Sequence, residues 1–75
     1  MKNAFAERLK LALHLRGIRQ VDLARKLKVN KSLITLYISG SCEPKTRLLF
    51  AIADLLDVNP KWLIGYDDQM VDERK

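Results

Sequence analysis

The sequence predicts an all-α protein, and three observations predict it. Apolar residues recur at three- and four-residue spacing along most of the chain, as one buried helix face requires. Three glycines and two prolines, Gly17, Gly40, Gly65, Pro44 and Pro60, punctuate those stretches where helices would start or stop. The one alternating run, Leu9, Leu11, Leu13 and Leu15, contains no β-branched residue, so a strand finds no support there. At 75 residues the chain makes one small domain. No internal repeat or low-complexity stretch interrupts it.

Five helices follow in order. The first spans Asn3 to Arg16. Phe5, Leu9, Ala12 and Leu13 recur at helical spacing in a run rich in Ala, Leu, Lys, Arg and Glu, and Gly17 supplies a left-handed stop. The second, Gln20 to Leu27, buries Val21, Leu23, Ala24 and Leu27. Lys28, Val29 and Asn30 form a tight turn, with Asn30 as N-cap of a third helix from Lys31 to about Ser39. Val29 and Ile34 stand at the spacing of a hydrophobic staple, and Gly40 ends the helix. The fourth starts at Pro44 or Lys45, with Pro44 in its first turn, and reaches Asp57 with Leu49, Ile52, Ala53 and Leu56 as its apolar stripe. Pro60 opens a short fifth helix through Ile64, and Gly65 stops it. The division expected is a folded domain over 1–66 and an acidic, loose tail over 67–75.

Composition narrows the functions. Hydrophobic residues make up 48% and charged residues 31%, the balance of a globular domain rather than a disordered tail. The longest uncharged apolar run, Leu48 to Ala53, is far short of the roughly 20 residues of a membrane span. Charges at Lys2, Arg8 and Lys10 leave no signal-peptide stretch. A lone cysteine, Cys42, forbids an internal disulfide, and His14 with Cys42 cannot supply the usual four zinc ligands. These features suggest a cytoplasmic location, with a disulfide-free secreted domain as the alternative, and they point to no metal, no cofactor and no small-molecule ligand. No activated nucleophile, acid–base pair or phosphate-cradling glycine loop argues for an enzyme.

The net charge is +5, and it is unevenly spread. Residues 1–47 carry eleven lysines and arginines against Glu7, Asp22 and Glu43, a net +8, whereas residues 48–75 carry −3. Such a split fits a polyanion-binding face better than a uniformly solvated surface. Composition alone leaves nucleic acid and anionic membrane both open.

The stretch Gln20 to Gly40 is the most informative. A short helix, a tight turn and a second short helix inside a basic domain are the layout of a helix-turn-helix, whose second helix enters the DNA major groove. That groove, about 12 Å wide, admits one helix. The segment RQVDLARKLKVNKSLITLYISG resembles the helix-turn-helix of phage repressors and Cro proteins, a family of lambda-repressor-like, five-helix DNA-binding domains. Gln20, Leu23-Ala24, Val29, Ile34 and Gly40 stand in the family's register. DLLDVNPKWLIGYD looks like the end of such domains, so the resemblance covers roughly residues 4–66.

The resemblance implies the site. Lys31, Ser32, Leu33, Thr35 and Leu36 fall on base-facing positions, and Ile34 and Tyr37 on the buried side of the third helix. Gln20, Lys45 and Arg47 match positions along the phosphate backbone. Arg19 replaces a capping Thr of many relatives, which loses a cap and offers a further backbone contact. Lys31 can donate to guanine or phosphate, and Leu33 and Leu36 can pack on thymine methyls. Apolar residues at helical spacing are more often core than readers, and Leu36 also suits a protein interface. Many relatives join an Arg at the position of Leu13 to a Glu at that of Ile38. Here both are aliphatic, so Leu13 is expected to touch Ile38.

The function implied is a sequence-specific regulator of transcription of bacterial or phage origin, a repressor that binds double-stranded DNA. One small module suits a homodimer on an inverted-repeat operator. Trp62, Leu63, Ile64 and Tyr66 are the expected dimer surface by family analogy, with Leu11 and Leu15 as a second candidate. The alternative is a protein-interaction module on the same fold, an antitoxin or an adaptor.

Overall fold

The computed structural model describes residues 4–71. Among them run five α-helices and no strand: α1 Ala4–Arg16, α2 Gln20–Leu27, α3 Lys31–Ser39, α4 Thr46–Leu56 and α5 Pro60–Leu63. Asn3, the expected start of α1, lies outside the described residues. Among the described residues no helix is long and apolar enough to cross a membrane.

Every helix sends at least one fully buried aliphatic side chain into a single core: Leu9, Leu23, Ile34, Ile52, Leu56 and Leu63. Each such burial is worth about 1.5–3 kcal/mol. Phe5 of α1 meets Tyr37 of α3 edge to face, with ring centroids 5.8 Å apart, which ties the first helix to the third. Burial also pushes the Tyr37 phenol above its ordinary pKa. The alternating leucines of α1 resolve as a helix should: Leu9 and Leu13 are buried, whereas Leu11 and Leu15 are 46% and 55% exposed. A strand would have turned all four the same way.

The caps explain the turns. Gly17 has φ +67°, and Ile18 donates its N–H to the Leu13 carbonyl at 3.0 Å, closing α1. Asn30 caps α3 by accepting the Ser32 N–H at 3.0 Å, and Asn59 caps α5 in the same way at Lys61. Two left-handed C-caps are not glycines: Lys28 after α2, with φ +59°, and Asp57 after α4, with φ +55°.

Two boundaries differ from expectation. Pro44 is not in the first turn of α4. Lys45 is the extended N-cap, its carbonyl accepts the Leu49 N–H at 2.8 Å, and the helix opens at Thr46. Proline has no N–H to lose in either place, so its chemistry does not choose between loop and first turn. Nor does the chain leave the domain at Tyr66. The Asn59 N–H donates to the Met70 carbonyl at 2.6 Å, the Asn59 amide donates to Asp67 and to the Gln69 carbonyl, and Met70 packs on the core. Residues 67–70 are therefore hooked onto the start of α5.

Candidate nucleic-acid interface

The site starts with how α2 begins. Arg19 is its N-cap residue and gives no side-chain cap. Its guanidinium reaches forward instead, 3.1 Å from the Asp22 carboxylate, and Arg25 reaches back to the same group at 3.5 Å. The hydrogen bond from Arg19 is the main reason the Asp22 carboxyl sits below its usual pKa. Asp22 thus stays charged in the first turn, where the helix dipole favours an anion. The Arg19 side chain remains largely exposed while tethered there.

Lys28, in the left-handed conformation, then turns the chain between α2 and α3. Its N–H and that of Val29 close back on the last carbonyls of α2. Asn30 starts α3. Ile34 and Tyr37 point into the core, as expected for its inner side. Lys31, Ser32, Thr35, Leu36 and Ser39 are exposed. Positions 32, 35, 36 and 39 stand at i, i+3, i+4 and i+7, so they form one outer strip along the helix.

Four of the five expected base-facing residues lie on the exposed part of α3, and Leu33 does not. It is half-buried against the core and lines a cleft with Tyr37, Cys42, Glu43, Lys45, Arg47 and Leu48, between α3 and the start of α4. The helical period carries position 33 round towards α4, where burial gains more than exposure would.

Cations stand on both sides of α3. On one side a shallow cleft gathers Lys10, Arg19, Gln20 and Lys31 around Leu13, Ile18, Val21 and Ile38. On the other, Lys45 and Arg47 line the cleft beside Leu33. Gln20 is half-buried, whereas Lys31, Lys45 and Arg47 are exposed. Lys10 belongs to this set and was not among the residues expected from sequence. Only its place on α1 one turn before Leu13 and His14 hints that it flanks α3. Leu13 and Ile38 line the same cleft.

Two arginines of the basic half are engaged at helix ends. Arg8 donates to the carbonyls of Trp62 and Asp67, at 2.5 and 2.8 Å. Arg16 donates to those of Leu56 and Asp57, at 2.8 and 2.9 Å. They neutralise the C-terminal ends of α5 and α4 rather than facing a ligand. Two of the eleven cations counted over residues 1–47 thus bind backbone carbonyls at helix ends.

The expected dimer cluster also divides. Trp62 and Leu63 are core residues, 5% and 0% exposed, and offer almost no surface to a second copy. Their spacing in a short amphipathic helix turns both inward. Ile64 is half-buried and Tyr66 is 84% exposed. Leu11 and Leu15 stay exposed on α1.

Two short helices set across a tight turn, with the second exposed along one flank inside a five-helix core, define a helix-turn-helix domain. The model of the helix-turn-helix family matches residues 9–63. The chain is 35% identical over 65 residues to the HTH-type transcriptional regulator for conjugative element SXT of Vibrio cholerae, covering 87% of this chain and 30% of that protein. Identity and coverage are the same for the regulator of element pMERPH from Shewanella putrefaciens. The HTH-type transcriptional regulator PrtR of Pseudomonas aeruginosa is 39% identical over 61 residues, 81% of this chain and 23% of its own length. The chain belongs to the helix-turn-helix family, of the repressor and Cro type that its sequence resembles. It spans less than a third of the length of these curated relatives.

Proposed function

We propose that the chain is a sequence-specific double-stranded DNA-binding transcriptional regulator that places α3 in the major groove. One observation carries the reading: an exposed strip on α3, with Lys10, Arg19 and Lys31 lining a cleft on one side of the helix and Lys45 and Arg47 lining a cleft on the other. A helix bracketed by cations matches a groove bracketed by phosphates. The relatives' names support the same reading, since each is an HTH-type transcriptional regulator.

In this reading Lys31 and Ser32 reach base edges from the first turn of α3. Arg19, Gln20, Lys10, Lys45 and Arg47 hold the phosphate backbone on either side. The open N-termini of α2 and α4, neither closed by a side-chain cap, add backbone N–H groups for phosphate. Repression would follow from occlusion, with the bound domain excluding polymerase from a promoter. A single module buries little surface, so a homodimer on an inverted repeat, with half-sites about 34–36 Å apart, supplies the affinity. Ile64 and Tyr66 are what remains of the expected pairing surface.

Selection of duplexes from a random library at about 0.15 M salt tests the proposal. The expected result is an enriched inverted repeat. An enriched single half-site would keep DNA recognition and remove the dimer. No enrichment by the folded chain, together with a flat salt dependence, would overturn the proposal in favour of an interaction module.

A further inference from the structure

The cleft between α3 and the start of α4 carries a polar group that no contact within the fold satisfies. Tyr37 is 3% exposed and lines this cleft, which has a volume of about 540 Å³. Phe5 holds the Tyr37 ring edge to face, yet the phenol oxygen makes no hydrogen bond among the described residues. No fully enclosed side-chain polar atom among them lacks a partner, so this oxygen keeps an opening, and the opening is the cleft. Burial raises the phenol's pKa, which keeps it a hydrogen-bond donor at neutral pH.

The walls set the chemistry of what fits. Leu33 and Leu48 are half-buried and apolar. Lys45 and Arg47 stand at the start of α4, whose first N–H groups have no side-chain cap. These two cations against Glu43 leave one net positive charge in the lining. We propose that the cleft binds a small organic monoanion, a carboxylate carried on an aryl or branched aliphatic body. The body leaves water against Leu33 and Leu48, and the carboxylate accepts from the Tyr37 phenol and pairs with Lys45 and Arg47. A dianion would leave the cleft net negative. The site stands on the cleft alone. Its consequence rests on the DNA-binding reading above: a carboxylate on Lys45 and Arg47 takes cations from the phosphate backbone and so releases DNA.

The test titrates the full chain with phenylacetate and with 4-methylpentanoate at fixed ionic strength. Saturable binding is expected, read by calorimetry and by protection of Cys42, the chain's single thiol and part of the same cleft, from iodoacetamide. Acetate, without the body, and phenylacetamide, without the charge, should each bind about tenfold more weakly or worse. Tyr37→Phe keeps the ring against Phe5. It should weaken phenylacetate about tenfold, as loss of one hydrogen bond to a charged group does, and leave affinity for the selected duplex unchanged. Phenylacetate at about ten times its own Kd should raise the duplex Kd about tenfold. Absence of saturable binding, or equal binding by Tyr37→Phe, would overturn the site. Weaker duplex binding by folded Tyr37→Phe, with no phenylacetate bound, would assign the phenol to a phosphate and overturn it too. Saturable binding with an unchanged duplex Kd would uphold the site and overturn the release. A chain that binds phenylacetate and no duplex would remove the DNA reading and leave the site standing.

Discussion

Arg8 of α1 is locked to Trp62 of α5: its guanidinium carbon lies 5.1 Å from the centre of the indole ring, and one of its nitrogens donates to the Trp62 carbonyl. The same nitrogen holds the Asp67 carbonyl at 2.8 Å. One side chain therefore joins the first helix, the last helix and the segment that follows. Replacing Arg8 by Met keeps the aliphatic stem and removes the donors. We expect a loss of about 2–4 kcal/mol in urea unfolding, from the charged hydrogen bonds and the cation–π contact together. DNA affinity per folded molecule should hold. A large affinity loss with unchanged stability would place Arg8 at the interface instead.

Lys31 and Lys45 line separate clefts beside α3 and are expected to play different roles. Lys31→Ala should cost about 1–3 kcal/mol and relax preference at one base pair, whereas Lys45→Ala should weaken all sequences alike and reduce the salt slope by about 1. Binding isotherms on specific and scrambled duplexes at several salt concentrations separate the two. Identical behaviour would remove the division of labour.

Gly65 has φ +91°, and a Cβ built there would lie 2.8 Å from the Ala4 Cβ. Two penalties therefore meet in Gly65→Ala, left-handed strain and overlap with the start of α1. The expected cost is about 2–4 kcal/mol. Adding Ala4→Gly should recover the overlap but not the strain. A double variant no better than the single would show that the backbone conformation carries the whole effect.

Lys28 holds the turn of the helix-turn-helix at φ +59° without being glycine. Lys28→Gly should raise stability by about 0.5–1 kcal/mol, the relief of strain less the extra freedom of the unfolded chain. Thermal unfolding reads it directly. A loss of stability would mean that the lysine stem contributes packing that outweighs the strain.

The Asp22 carboxyl is held below its ordinary pKa, first by the hydrogen bond from Arg19. A folded pKa lower than the unfolded one gives stability that is present above the unfolded value and lost as the pH falls through the folded value. Asp22→Asn should therefore narrow the stability difference between neutral pH and acid, measured at low salt. The exposed site makes the effect small and salt-sensitive. An unchanged acid limb would show that the pair contributes nothing to folding.

Much of the fold is legible in the chain because its signals are local. Helical spacing, the Asn30 cap, the Gly17 stop and the inward Ile34 and Tyr37 all act within a few residues, through bonds and contacts that a helix makes with its own neighbours. The outer strip of α3 is legible for the same reason: once Ile34 and Tyr37 face inward, the helical period places Ser32, Thr35 and Leu36 outside.

Burial against distant elements was decided by tertiary structure. Arg8 and Arg16 read as two more cations of a basic half, yet their partners lie 54 and 40 positions away at Trp62 and Leu56. Leu33 read as a base-facing residue, yet it lines the cleft beside the start of α4, and Trp62 with Leu63 read as a pairing surface, yet α1 and α4 enclose them. Lys10 joined the α3 interface only because α1 packs beside it. Local periodicity determines which side of a helix is apolar. Which helix covers that side, and which charges are spent in closing helix ends, depends on contacts between residues far apart in the chain, formed together when the core excludes water.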